Sequence, residues 1–164
     1  MNPAQAESLY QKVLELAHLT GKETVLDAYC GVGTLALIFA KHALKVIGIE
    51  SVMEAIVDAK ENAKRNQINN AEFICGTAEE KISLLGQIDV AIVNPPRKGC
   101  ERVFLEALLE KRPRQILYVS CDPATLARDL QILTEKGYRL NIVQPFDMFP
   151  QTMHVECVAS LTDE

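Results

Sequence analysis

The stretch "QILYVSCDPATLARDL", residues 115–130, places Cys121 after an apolar run and just ahead of Asp122 and Pro123, which open an amphipathic helical pattern. A thiol at the entry to a helix has its thiolate favoured by the free backbone N–H groups there, with the adjacent Asp122 opposing, and a thiolate is a nucleophile suited to covalent catalysis. Glu156 is the second candidate. It lies in "HVECVASL", residues 154–161, where a carboxylate in an otherwise apolar strand needs either a partner or a task such as proton removal. Strand alternation sets His154 and Glu156 on one face and Val155 and Cys157 on the other. The structural alternative for Glu156 is an ion pair with Arg97 or Lys98.

Three further stretches have the residue types of a ligand site. In "LDAYCGVGTLAL", residues 26–37, Gly31 and Gly33 allow a tight turn and close backbone approach, and a helix beginning near Thr34 directs its free N–H groups at the turn. Ala36 stands where the dinucleotide fingerprint has its third glycine, which argues against a nicotinamide cofactor. Asp27 would repel a pyrophosphate and suits a ligand with an amino group, while Glu50, closing "VIGIE", can accept hydrogen bonds from ribose hydroxyls. A ligand with an amino acid at one end and a nucleoside at the other meets both demands, and S-adenosylmethionine is such a ligand. The bland alternatives are a turn or capping carboxylate for Asp27 and a solvated strand end for Glu50. In "NPPRKG", residues 94–99, two prolines stop the strand and stiffen the backbone beside Asn94, whose amide can meet cofactor or substrate. Thr77, just past the third strand run, is counted with the cofactor candidates.

These residues fall at the ends of regularly alternating elements. The runs 24–28, 45–50, 71–76, 89–94 and 115–120 are nearly continuous in apolar residues, as expected of parallel strands buried on both faces. Helical patterns lie between them at about 34–42, 52–66, 78–84 and 100–110, with another at 123–136. Strand and helix alternating through short connections predict right-handed crossovers and a doubly wound α/β sheet. The runs 138–147 and 154–161 have no helix between them and should pair antiparallel. A mostly parallel seven-stranded, Rossmann-like sheet that closes in an antiparallel hairpin is similar to the fold of the S-adenosylmethionine-dependent methyltransferases. Because the last strand runs against the others, its beginning reaches the edge where the parallel strands end.

Composition bounds the rest. The chain has 164 residues, enough for a single domain with a full core, and no apolar run approaches a membrane span. The N-terminus lacks the pattern of a signal peptide, so a cytoplasmic location is expected. Cys30, Cys75, Cys100, Cys121 and Cys157 form no C-x-x-C or Cys/His spacing, which argues against a disulfide framework and a metal site. A net charge of −5 argues against nucleic-acid binding by charge alone, although six basic residues against three acidic ones lie between Arg97 and Arg114.

Taken in order, "DAYCGVGTLAL", "GIE", "NPPRKG", "YVSCDPATLARDL" and "DMFPQTMHVECVASL" resemble the catalytic domain of the bacterial RNA 5-methyluridine methyltransferases, which act on tRNA or 23S rRNA. The resemblance implies that Cys121 adds to C6 of uracil, that Glu156 removes the C5 proton, and that Tyr29, Glu50 and Asn94 bind S-adenosylmethionine. A uracil must leave its stack to reach such a site, with Asn94, Arg97, Lys98 or the region of His154 as the expected substrate contacts. RNA cytosine-C5 methyltransferases have a second cysteine after the prolines of the fourth motif, and amino-group methyltransferases have an aromatic residue there. Arg97 holds that position, which favours uridine. The family usually has Asp where this chain has Asn94. Full-length relatives carry an N-terminal RNA-binding barrel and an F-F-Q motif ahead of "NPAQAE", so the RNA partner is expected to be held mainly outside these residues. The competing functional readings are a cofactor-binding module without turnover and an amino-group methyltransferase acting through "NPP".

Overall fold

The computed structural model describes residues 3–148 and 155–164. Helix α1 (Pro3–Ala17) leads into β1 (Thr24–Asp27), α2 (Thr34–Ala40), β2 (Lys45–Glu50), α3 (Met53–Arg65) and β3 (Ala71–Cys75). The short α4 (Ala78–Lys81) runs into a single 3₁₀ turn and then β4 (Val90–Val93), α5 (Arg102–Lys111), β5 (Gln115–Ser120), α6 (Pro123–Glu135), β6 (Tyr138–Phe146) and β7 (Glu156–Asp163). All seven strands form one sheet, in the order β3-β2-β1-β4-β5-β7-β6. The first five are parallel, and β7 inserts antiparallel between β5 and β6. This is the Rossmann-like methyltransferase architecture expected from the alternation of runs.

The strand alternation sorts the core into two layers. Val25, Val46, Ile92, Leu117 and Val158 face one side and pack under α1, α2 and α3. Leu26, Ile49, Ala91, Val93, Ile116 and Ala159 face the other and pack under α5 and α6. Strands β4 and β5 are buried along their whole length, which is why they read as unbroken apolar runs. Edge strand β6 is different, with Arg139 to Val143 exposed and a register shift between Leu140 and Ile142.

Element boundaries moved where local chemistry outweighs periodicity. Helix α5 starts at Arg102, two residues later than the pattern suggests, because the Cys100 N–H is held in the preceding loop by the side chain of Asp129 on α6. The final strand is described over Glu156–Asp163, two residues past the expected end at 161. His154 and Phe149 lie outside the described residues. Met148 is buried among the residues beneath α1 and α2.

Gly33 is the tightest point of the first turn. It adopts φ +85°, and a Cβ there would stand 3.0 Å from the Phe73 ring and 3.2 Å from the Ala59 methyl. Gly33→Ala therefore has to move β3 or α3 as well as strain its own backbone. A loss of about 1–3 kcal/mol in urea unfolding is expected, and an unchanged midpoint would show that the turn relaxes freely.

Candidate active site

The strand order reverses between β1 and β4, so the loops that follow these two strands diverge to opposite faces and leave a crevice at their carboxyl ends. A cavity of about 470 Å³ occupies it. Its walls come from four strand ends: Ala28 and Tyr29 after β1, Glu50 and Ser51 at β2, Gly76 to Glu79 after β3, and Asn94 to Pro96 with Lys98 and Gly99 after β4. Volume and placement fit a nucleoside-sized ligand.

Among the residues expected there, Tyr29, Glu50, Thr77 and Asn94 line the cavity. Tyr29 is fixed by edge-on contact with Phe104, ring centroids 5.4 Å apart, and its hydroxyl donates to Glu79 Oε1 at 3.2 Å. Glu50 uses its carboxylate to shape the first turn, accepting from the Gly31 N–H at 3.1 Å and from the Val52 N–H at 2.9 Å. Thr77 caps α4 by accepting from the Glu80 N–H.

Asp27, Gly31, Gly33 and Thr34 support the site from behind and are not in the cavity wall. Thr34 opens onto the outer face of α2, beside Asn62 and Asn66. Asp27 is 1% exposed and accepts from the Ala36 N–H at 3.0 Å, so one oxygen caps the first turn of α2 from the strand below. Its other oxygen is buried with no hydrogen-bond partner among the described residues. Burial pushes this carboxyl up to about 7 against the Ala36 hydrogen bond, and the charge of Glu50 adds to the rise.

The thiol and the carboxylate come together through strand register. Ser120 pairs with Cys157 at the end of the β5–β7 ladder, and Cys121 and Glu156, each one residue past that pair, lie close enough for the Glu156 charge to act on the thiol. Cys121 is partly exposed and Glu156 half-buried. Burial raises the Cys121 thiol above its ordinary range. The Glu156 and Asp122 charges raise it further, while Arg97 and a backbone hydrogen bond oppose. Burial likewise raises the Glu156 carboxyl. Among the described residues no ion pair is formed to Glu156, and Lys98 instead lies 2.6 Å from Glu101. The Asp122 side chain accepts from the N–H groups of Ala124 and Thr125, which caps α6 directly behind the thiol.

The other cysteines are packing residues or lie apart. Cys30 and Cys157 are buried, and Cys75 rests its sulfur 3.8 Å from the Ser51 carbonyl. Cys100 is buried beside Tyr118, its sulfur 3.6 Å from the hydroxyl, and desolvation pushes it up to about 12. Among the described residues no group of three or more His, Cys, Asp or Glu is arranged to hold a metal ion, and no helix is long and apolar enough to cross a membrane.

Sequence reasoning passed over Glu79 and Asp129. Glu79 carries no local signal, since only the fold brings α4 to Tyr29. Asp129 did carry one: it falls on the apolar stripe of α6 with Leu126, Leu130 and Leu133, where a charge must have a partner.

Two measurements follow from these charges. Folding favours the protonated form of Asp27, so its contribution to stability is complete below the unfolded-chain value of about 3.9 and is lost as pH rises through about 7. The stability of the wild type relative to Asp27→Asn should therefore fall with pH across that window in urea unfolding, and a constant difference would contradict a buried titrating carboxyl. Glu156→Gln removes a negative neighbour, so the pH midpoint of Cys121 alkylation by iodoacetamide, followed by mass spectrometry, should move down.

Comparison with known proteins gives a consistent picture. A family model described as a methyltransferase domain matches residues 19–161. A Clostridium acetobutylicum protein named an uncharacterized RNA methyltransferase is 54% identical over 96% of this chain, and one from Listeria innocua is 51% identical over 99%. The chain spans 35% and 37% of the length of those relatives. The crystal structure of Pyrococcus abyssi tRNA (uracil-54, C5)-methyltransferase in complex with S-adenosyl-L-homocysteine superposes with a TM-score of 0.85 at 40% identity, covering 96% of this chain and 38% of that one. An rRNA methylase from Streptococcus thermophilus shares the fold with a TM-score of 0.77 at 16% identity.

Proposed function

This chain belongs to the methyltransferase domain family, and from that premise we propose that it transfers a methyl group from S-adenosylmethionine to C5 of a uridine in RNA through a covalent cysteine adduct. The observation that carries the reading is the nearness of Cys121 and Glu156, the two residues just past the last β5–β7 pair of Ser120 with Cys157. The likeness to a tRNA uracil-C5 methyltransferase at 40% identity supports it.

The donor set of the cavity fits the cofactor. Glu50 offers a carboxylate to ribose hydroxyls, Asn94 and Thr77 offer neutral polar groups, and the Tyr29 ring gives an apolar wall. Asp27, buried beneath the first turn and outside the cavity wall, caps α2 and so holds the turn that the ligand would meet. When bound, S-adenosylmethionine supplies an electrophilic sulfonium methyl.

Uracil C5 is too weak a nucleophile to take that methyl unaided. The Cys121 thiolate adds to C6, forming the C6–S bond and moving the C5–C6 π electrons into an enolate with density at C5. C5 then takes the methyl, and S-adenosylhomocysteine is the leaving group. Glu156 removes the C5 proton, the electron pair re-forms the C5–C6 double bond, and the C6–S bond breaks to return the thiolate. Half-burial suits Glu156 to this step, since a carboxyl raised above its usual range is the stronger base. Arg97, which follows the two prolines, stands near Cys121 and is a candidate contact for the uracil or its phosphate. A uridine must leave its stack to reach such an edge.

The test is a labelled-methyl assay on unmodified 23S rRNA and tRNA transcripts, with nucleoside analysis of the product. It is run on this chain and on a version joined to the remaining length of a curated relative. Cys121→Ala should lower 5-methyluridine formation by about 10³-fold or more while S-adenosylhomocysteine binding stays within about twofold. Glu156→Gln should slow turnover by about 10²–10⁴-fold and accumulate a methylated RNA–protein adduct that survives denaturing electrophoresis. Methyl transfer that persists in Cys121→Ala would refute the covalent route and point to an amino group as acceptor. Cofactor binding without any labelled product would identify a binding module.

A further inference from the structure

Three side chains on one face of α6, Thr125, Arg128 and Asp129, grip the backbone of the loop that follows β4. The single proton of Thr125 Oγ1 lies between the Arg97 carbonyl at 3.1 Å and the Asp122 carbonyl at 3.2 Å, and Arg128 donates to the carbonyls of Lys98 at 3.0 Å and Cys100 at 3.2 Å. Asp129 accepts from the Cys100 N–H at 2.8 Å. The fit is close: a Cβ on Gly99, which has φ +76°, would meet the Arg128 guanidinium at 2.6 Å and the Asp129 carboxylate at 2.7 Å. Asp129 is 0% exposed and also accepts from the Tyr118 hydroxyl at 2.5 Å, so the same carboxylate holds β5 three residues before the thiol. Arg128 pairs with its other oxygen at 2.8 Å and leaves the buried charge compensated.

We propose that Thr125, Arg128 and Asp129 are positioning residues that set the loop of Asn94 and Arg97 against the Cys121 thiol, a role that rests on reading Cys121 as the nucleophile. Cys121 immediately precedes the helix that carries the clamp, and the gripped backbone carries Arg97 and follows Asn94 of the cavity wall. Cofactor side and thiol side are thus referred to one rigid element. A latch with a purely structural role would need only stability, whereas a loop carrying two groups of the site must stand at a fixed distance from the reacting sulfur. Among the described residues the charged groups acting on Cys121 are Glu156 on β7, Arg97 on the loop and Asp122 at the head of α6, and the clamp holds the backbone of Arg97.

The test uses Thr125→Val, Thr125→Ser and Asp129→Asn in the whole chain, each first shown to unfold cooperatively. Single-turnover methylation of the RNA transcripts is measured at saturating cofactor, S-adenosylhomocysteine affinity by calorimetry, and the pH profile of Cys121 alkylation by mass spectrometry. Thr125→Val should slow methyl transfer by about tenfold and Asp129→Asn by up to about 10²-fold. Cofactor affinity should stay within about twofold, and Thr125→Ser, which keeps the hydroxyl, should match the wild type. Thr125→Val at the wild-type rate, or rate and cofactor affinity falling together, would overturn the proposal. A wild type that forms no 5-methyluridine would sink the reading of the reaction instead. The clamp is then judged by alkylation alone: a Cys121 profile that shifts in Thr125→Val supports it, and an unshifted one rejects it.

Discussion

Strand β5 is paired on both sides, parallel to β4 and antiparallel to β7, and the site depends on that arrangement. The parallel side brings the end of β4, with Asn94 and the proline pair beyond it, alongside the end of β5. The antiparallel side brings the start of β7 to the same edge. A one-residue slip of β7 would turn Glu156 to the opposite face and leave its carboxylate among the apolar residues under α6. Burial of Val158, Ala159 and Leu161 against the two core layers holds the register, because each has an apolar place that the slip would exchange for the wrong side.

Two buried carboxylates then fix the loops, one on each face of the sheet. Asp27 caps α2 from beneath and shapes the turn at Gly31 and Gly33, with Glu50 gripping the same turn from β2. Asp129 works on the other face, where Cys100, Tyr118 and Arg128 converge on it. The two differ in completeness. Asp129 is compensated by a guanidinium and takes hydrogen bonds on both oxygens, whereas Asp27 keeps one oxygen unpartnered and is held largely protonated toward neutral pH. Such loops carry function because a rigid scaffold places them, and here the scaffold reaches them through single side chains.

Between these fixed loops the crevice presents groups of opposite demand. The cavity wall is polar and acidic at Glu50 and Glu79, suited to hydroxyls and an ammonium, and the loop beyond the prolines carries Arg97 and the Lys98–Glu101 ion pair. The thiol stands at the boundary, where opposing charges from Glu156 and Arg97 act on it together.

Much of this was legible in the chain alone. The apolar runs and their spacing determine a parallel α/β sheet, because strands buried on both faces admit no polar alternation, and the missing helix between the last two runs determines the antiparallel finish. Cys121, Glu156, Glu50 and Asn94 are readable as candidates because each is a reactive or polar residue at a strand end. Tertiary structure alone decided which of them meet. Asp27 reads in one dimension as either a ligand contact or a capping carboxylate, and its capping of α2 is made only once that helix folds back over β1. Thr34 turns outward, Glu79 turns in, and Asp129 finds partners 11 and 29 residues away in sequence. Local sequence carries periodicity and turn chemistry, but the register of β7 and the approach of α6 to the β4 loop are long-range contacts whose energy exists only after the sheet has closed around them.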